Sequence, residues 1–151
     1  MTDGYLLIAW HGRTGTSEAL AASAAEGAAD NGSLLPAADV TPDDLLAAAG
    51  YLFVCPENLA SMSGEMKEMF DRCYYPVLGK LNGRPFATII AAGSDGEGAQ
   101  RQIDRIAKGW RLKRVAEPWI VNTEAQSPEA ILAAKTLDPA TLQTAREMGE
   151  A

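Results

Sequence analysis

The chain carries one histidine, His11, and two cysteines, Cys55 and Cys73. A single imidazole excludes a multi-histidine metal site, and two thiols are too few for a disulfide framework or a zinc cluster. Positive charge is also scarce: 13 Lys+Arg face 20 Asp+Glu, a formal net charge of −7. The cationic footprint of a nucleic-acid binder is missing, and attraction to an anionic membrane is disfavoured. No apolar run approaches the roughly 18 residues of a spanning helix, and the N-terminus lacks the basic segment and cleavage site of an exported chain. The remaining balance, 47% hydrophobic and 22% charged, is that of a globular protein expected in the cytoplasm. Its 151 residues predict one domain over residues 1–151, since domains commonly run about 100–200 residues.

Apolar runs alternate with helical patterns along the chain. Tyr5–Trp10 is continuously apolar, as in a strand buried on both faces. An Ala-rich stretch from Glu18 to about Ala29 predicts a helix, stopped by Asn31-Gly32. A short strand is expected around Leu34–Pro36. Thr41-Pro42-Asp43-Asp44 is a helix start, with a capping hydroxyl, proline in the first turn and acids near the positive end. Tyr51–Cys55 is another apolar strand. Met66, Met69, Phe70 and Cys73 recur at helical spacing and should face a core, with Tyr74-Tyr75-Pro76 ending that helix. Phe86–Ala92 gives a third clear strand, followed by a helix with the stripe Ile103, Ile106, Ala107 and Trp110. A last strand is expected near Trp119–Val121. Ser127-Pro128-Glu129 and Asp138-Pro139 each read as a cap followed by proline at the first helical position.

This order implies an α/β fold: a doubly wound parallel sheet of about five strands with helices on both faces, in three layers. Ligands of such sheets sit beyond the carboxyl ends of the strands, at the switch point of strand order. Loops 11–17, 56–64 and 93–98 should meet there. The first carries Gly12, Gly15, Thr14, Thr16 and Ser17 between a strand and a helix. Unpaired amides at a helix start point at whatever occupies the turn, so a phosphate monoester can be held there. Equally, Thr16 or Ser17 can simply cap the helix. No lysine follows Gly15 or Thr16, which excludes the nucleoside-triphosphate loop, and the Gly-x-Gly-x-x-Gly dinucleotide fingerprint is absent.

Trp10-His11-Gly12-Arg13-Thr14-Gly15-Thr16-Ser17, with Ala21 four residues on, resembles the phosphate-binding loop of flavodoxins. Gly12 stands for the usual Ser/Thr, Thr16 for Asn and Ser17 for Thr. Pro56-Glu57-Asn58, Ser61-Met62-Ser63-Gly64, Met66-Lys67 and Asp71-Arg72 resemble the NAD(P)H-dependent FMN reductase and quinone reductase branch of this flavodoxin-like family. Gly83-Arg84-Pro85 stands where that branch commonly has Gly-Lys-Pro. The resemblance spans roughly residues 5–121.

The resemblance implies that His11, Gly12, Arg13, Thr14, Gly15, Thr16 and Ser17 hold the phosphate of FMN. Pro56, Glu57, Asn58, Leu59, Ala60, Ser61, Met62, Ser63 and Gly64 would flank the isoalloxazine ring, with backbone groups facing its polar atoms. Gly93, Ser94, Asp95, Gly96 and Gly98 would complete the pocket. The implied activity is hydride transfer from NAD(P)H through FMN to a small acceptor, a quinone or a flavin. Such chemistry belongs to the cofactor and needs no protein acid or base, in keeping with a chain that shows no catalytic pair. A homo-oligomer is compatible with this shape. Two alternatives stand beside the reductase: a flavodoxin-type electron carrier without its own substrate, and a flavin-free scaffold. Flavodoxins usually stack aromatic rings on both flavin faces, a role that here falls to Trp10, Trp110 or Trp119. His11 reads as a phosphate donor or an exposed turn residue, Glu57 as a flavin contact or a surface charge. Asp71 and Arg72 read as a helix-surface pair or a loop anchor, Cys55 and Cys73 as buried thiols.

Overall fold

The computed structural model describes residues 5–13, 15–92 and 95–122. In chain order these form β1 (Leu6–Trp10), α1 (Thr16–Ala28), β2 (Gly32–Pro36), α2 (Pro42–Ala47), β3 (Gly50–Asn58), β4 (Ser61–Met62), α3 (Gly64–Val77), β5 (Pro85–Ala92), α4 (Glu97–Gly109), β6 (Lys113–Arg114) and β7 (Trp119–Asn122). The two Pro-capped starts at Ser127 and Asp138 lie outside the described residues.

Strands β2, β1, β3 and β5 lie side by side in that order, all parallel. Along the free edge of β5, β6 pairs with Pro85 and Phe86 while β7 pairs with Ile89–Ala92. Two short strands thus share the place of a fifth. Strand order reverses between β1 and β3, so the turns leaving these two strands open beside each other at the carboxyl edge.

The period-2 geometry of each strand sorts its residues between two cores. Leu7, Ala9, Tyr51, Phe53, Cys55, Phe86 and Ile90 face the side covered by α3 and α4, with Met66, Met69, Phe70, Cys73, Ile103, Ala107 and Trp110 packed on them. Ile8, Leu52, Val54, Ile89, Ala91 and Val121 face the other side, against Leu20, Ala21 and Ala24 of α1. The alanines let α1 approach the sheet closely. Each large apolar side chain withdrawn from water stabilises the fold by about 1.5–3 kcal/mol.

Local signals explain several boundaries. The Thr41 hydroxyl accepts the Asp44 amide while the Asp44 carboxylate accepts the Thr41 amide, a complete capping box at α2. Helix α3 does not stop at Tyr74-Tyr75-Pro76 but runs through Pro76 to Val77. In a last turn the missing proline N–H forfeits one bond, and Val77 becomes fully buried in return. Helix α1 starts at Thr16, two residues before the alanine-rich stretch, and a short 3-10 turn over Ala29–Asn31 follows it.

Two arginines tie segments together. Arg84 donates to the carbonyls of Leu45, Leu46 and Ala48 at 3.2, 2.8 and 2.9 Å, collecting the open end of α2. Arg72 pairs with Glu68 and donates to the carbonyls of Val40 and Ala37. It is therefore an anchor, holding segment 37–40 rather than a site loop. Asp71 pairs at the surface with Lys67.

Candidate functional site

The turn after β1 is fixed at its base by the His11 amide, which donates to the Val54 carbonyl across the switch point at 3.0 Å. Gly15 then takes a positive φ of 96° as the N-cap of α1 and supplies no side-chain cap. That conformation suits glycine. Thr16 and Ser17 are 4% and 2% exposed, and neither hydroxyl has a hydrogen-bond partner among the described residues. Helix capping, the simpler sequence reading of these two hydroxyls, is therefore not what they do. A buried hydroxyl left unpaired costs about 1–3 kcal/mol, which is recovered when an acceptor arrives.

Gly12 has a packing reason. A Cβ there would stand 3.0 Å from the Ser17 Cβ and 3.6 Å from the Glu18 amide nitrogen. The turn presses closely on the first helical turn, so a serine or threonine here would require the Ser17 side chain to give by a few tenths of an ångström. An anionic phosphate fits this donor set: an uncapped 13-residue helix, two buried hydroxyls without acceptors and a backbone with no side chain in the way. Arg13 is exposed beside it. Thr14 lies outside the described residues, as do Gly93 and Ser94 of the third loop.

The second segment, expected as a loop, is a β-hairpin. Strand β3 continues through Pro56 to Asn58, and β4 returns antiparallel with Glu57 opposite Met62 and Asn58 opposite Ser61. Leu59 and Ala60 form its two-residue tip with φ of 51° and 64°. This is the left-handed turn that matches strand twist, usually filled by Asn-Gly. The Leu-Ala pair conceals it from sequence patterns. Leu59 is wholly exposed.

The hairpin is bound to the start of α4. The Glu57 carboxylate accepts the amides of Gly96, Gly98 and Ala99 at 2.8, 3.0 and 3.3 Å. It is no solvated surface charge; it caps the positive end of α4. The Met62 amide donates to Gln102 Oε1 at 2.8 Å, and Asp95 accepts the Glu97 amide at 3.3 Å. The Met62 amide, one of the backbone groups expected to face the ring, and the amides of Gly96 and Gly98 thus join the hairpin to α4. Gln102 has no sequence signal beyond its exposed helical position.

Ser63 is fully buried at the start of α3. Burial pushes the Cys55 thiol up to about 12, the Ser63 amide and hydroxyl beside it opposing the shift. Burial also raises the Cys73 thiol, with Arg72 opposing. Both cysteines are free and buried, so neither should react with a thiol reagent until the chain unfolds, and then both should. The Cys55 contribution to stability is present below the ordinary value of 9.0 and fades as pH climbs from there towards about 12, because the unfolded thiol loses its proton first. Timed thiol modification with and without denaturant, and urea melts across this range, check both statements.

Among the tryptophans named as ring-stacking candidates, Trp110 is removed from that role. It is fully buried, donates its indole N–H to the Tyr74 carbonyl at 3.1 Å and stacks on the Tyr74 ring. Trp10 and Trp119 are partly buried against the α1 core.

A parallel sheet switching direction beside a helix N-terminus that offers unpaired donors defines a flavodoxin-like protein. The chain belongs to the NADPH-dependent FMN reductase family, whose model matches residues 36–125, a family of flavin-binding oxidoreductases. That match takes in the hairpin, α3 and α4 and begins after the 11–17 turn. Among curated proteins, none matches the chain. Solved structures share the fold. A flavodoxin from the domain Archaea has TM-score 0.78 at 15% identity, covering 97% of this chain and 94% of its own. The WrbA-like flavodoxin from Agrobacterium tumefaciens has TM-score 0.77 at 18% identity, covering 97% and 93%. An NADPH-quinone reductase from P. pentosaceus has TM-score 0.68 at 16% identity, covering 97% of both chains. No helix among the described residues is long and apolar enough to cross a membrane.

Proposed function

We propose that the protein binds FMN with its phosphate in the 11–17 turn and uses it to reduce a small acceptor, a quinone or a flavin, with NAD(P)H as reductant. The observation that carries this reading is the pair of buried, partnerless hydroxyls on Thr16 and Ser17 at an uncapped helix start. Both are hydroxyl donors free to pair with an oxyanion that enters the turn. Gly12, Gly15 and the first amides of α1 bring backbone donors close, and the helix end favours negative charge. The hairpin from Pro56 to Met62, with Ser63 and Gly64, and the segment from Asp95 to Gly98 form the two walls of the ring site. Glu57 and Gln102 hold the walls at a fixed spacing. Bound there, FMN supplies the hydride-accepting chemistry.

Titration with FMN and with riboflavin, followed by flavin fluorescence, tests the phosphate site. The wild type should prefer FMN. The double variant Thr16→Ala/Ser17→Ala should lose about a hundredfold in FMN affinity, at ~1.5 kcal/mol for each charge-assisted bond. Its riboflavin affinity should stay level. Equal losses for both ligands would place the phosphate elsewhere. Oxidation of NADH or NADPH with quinone and flavin acceptors then tests turnover. The net charge of −7 favours a second reading, an electron carrier steered to basic partners; one-electron reduction without nicotinamide turnover would decide for it.

A further inference from the structure

The net charge of −7 disfavours anionic partners for the molecule as a whole, but the charge is unevenly spread. Every charged side chain from residue 15 to residue 66 is acidic, whereas residues 98–114 place Arg101, Arg105, Lys108, Arg111, Lys113 and Arg114 against Asp104 alone. Arg114 pairs with Asp104. The other cations are exposed, and none of them has an acidic partner among the described residues. Arg101, Arg105 and Lys108 recur at i, i+4 and i+7, which brings them onto one stripe of α4. The stripe lies opposite Ala99, Ile103 and Ala107, which α4 buries, so it faces away from the sheet.

Helix α3 runs beside α4, its Tyr74 ring stacked on Trp110, and both cover the same side of the sheet. Near its end Tyr75 is 78% exposed and Leu78 is 42% exposed. Lys80 follows, also exposed, and the Gly83 amide ties this loop to the Arg111 carbonyl at 2.7 Å. Apolar side chains and unpaired cations thus share one face where α3 and α4 end. On α3 itself, Glu68 is engaged by Arg72 and Asp71 by Lys67.

An anionic bilayer is the partner whose chemistry uses both kinds of group. Each cation held near such a surface tightens binding about fivefold, while Tyr and Leu side chains withdraw from water into the headgroup boundary. A nucleic-acid backbone would use the cations and leave Leu78 in water. The acids of α1 do not cancel the attraction, because α1 packs on the other side of the sheet. The ~10–12 Å thickness of α4 and the sheet itself lie between, more than the ~8 Å screening length at physiological salt.

We propose that the outer face of α3 and α4 docks on an anionic phospholipid surface, with Arg101, Arg105, Lys108 and Lys80 on the headgroups and Tyr75 and Leu78 entering the boundary layer. Net charge describes the molecule at a distance; the face that arrives first decides docking. The contact is peripheral and reversible, and it does not depend on the FMN reading.

Co-sedimentation of the full chain with extruded vesicles tests this, using phosphatidylcholine alone and an equal mixture of phosphatidylcholine and phosphatidylserine. The wild type should pellet with the mixed vesicles, stay in solution with phosphatidylcholine alone, and be released as salt rises. Arg105→Gln/Lys108→Gln should weaken binding to mixed vesicles about thirtyfold, and Leu78→Ser should weaken it severalfold. Urea midpoints should stay near the wild-type value, because these side chains are exposed. Glu18→Gln/Glu26→Gln makes the net charge less negative on the far helix and should leave binding within about twofold. Binding that ignores phosphatidylserine, survives Arg105→Gln/Lys108→Gln, or rises strongly in Glu18→Gln/Glu26→Gln overturns the inference. No binding to mixed vesicles also overturns it, and capture of a single-stranded oligonucleotide through the same cations would then assign the face to nucleic acid.

Discussion

Replacing Trp110, the largest fully buried side chain among the described residues, with alanine should lower the free energy of unfolding by about 3–5 kcal/mol. Trp110 is fully buried where α4 ends. Its ring stacks on Tyr74 with centroids 5.6 Å apart and meets Phe70 at the same separation, tilted by 52°. The indole N–H satisfies the Tyr74 carbonyl. Alanine removes the ring contacts, opens a cavity between α3 and α4 and leaves that carbonyl without its donor. Domains of this kind have about 5–15 kcal/mol in total, so the variant should unfold at a far lower urea midpoint. Trp110→Phe, which keeps a ring but not the N–H, should recover most of the loss. A Trp110→Ala midpoint within error of wild type would mean that the α3–α4 contact contributes nothing to folding.

Gly98→Ala should be the most damaging single-atom addition. A Cβ at this position would stand 2.0 Å from the Ala60 carbonyl oxygen, 2.9 Å from its carbon and 3.1 Å from Glu57 Oε2. Two of these atoms are backbone, so the hairpin tip must move off α4, which disturbs the Glu57 bonds to Gly96, Gly98 and Ala99. Forced overpacking costs about 1–3 kcal/mol, and the lost capping bonds add to it. Gly64→Ala is the contrast: its Cβ would meet nothing within 4 Å, and a compatible Gly→Ala change stabilises by about 0.4–1 kcal/mol. Urea melts of the two variants should therefore move in opposite directions. Because the hairpin and the start of α4 are the proposed ring walls, Gly98→Ala should also weaken FMN and riboflavin alike. That pattern is the opposite of the Thr16→Ala/Ser17→Ala variant, which discriminates between the two ligands.

Much of the frame was readable from residue order. Tyr51–Cys55 and Phe86–Ala92 are strands because continuous apolar runs suit a sheet covered on both faces, and both lie within the observed β3 and β5. The Met66, Met69, Phe70, Cys73 stripe is buried as its helical spacing requires. Thr41-Pro42-Asp43-Asp44 starts a helix because capping is a contact between near neighbours in sequence, and such contacts survive any tertiary setting. The Trp10–Ser17 pattern marked the turn at the switch point for the same reason: strand, glycine turn and helix start are consecutive.

Contacts between distant segments had no such signature. Glu57 reaches amides about forty positions away, and one carboxylate in a string of letters looks the same whether it caps a helix or lies in water. The Leu59-Ala60 turn was hidden because its left-handed conformation is imposed by hairpin pairing and by the packing of α4, against local preference. Trp110 looked like one of three candidates for a ring wall until packing placed it in the core. His11 Nε2 lies 3.1 Å from the Glu65 carboxylate only because α3 folds onto the switch point. The sequence alone determined the alternation of strands and helices and the turn that offers unpaired donors, since these rest on periodicity and on neighbours along the chain. The tertiary structure decided which hydroxyls stay without partners and which acid caps α4, because each depends on what the folded chain brings within hydrogen-bond reach.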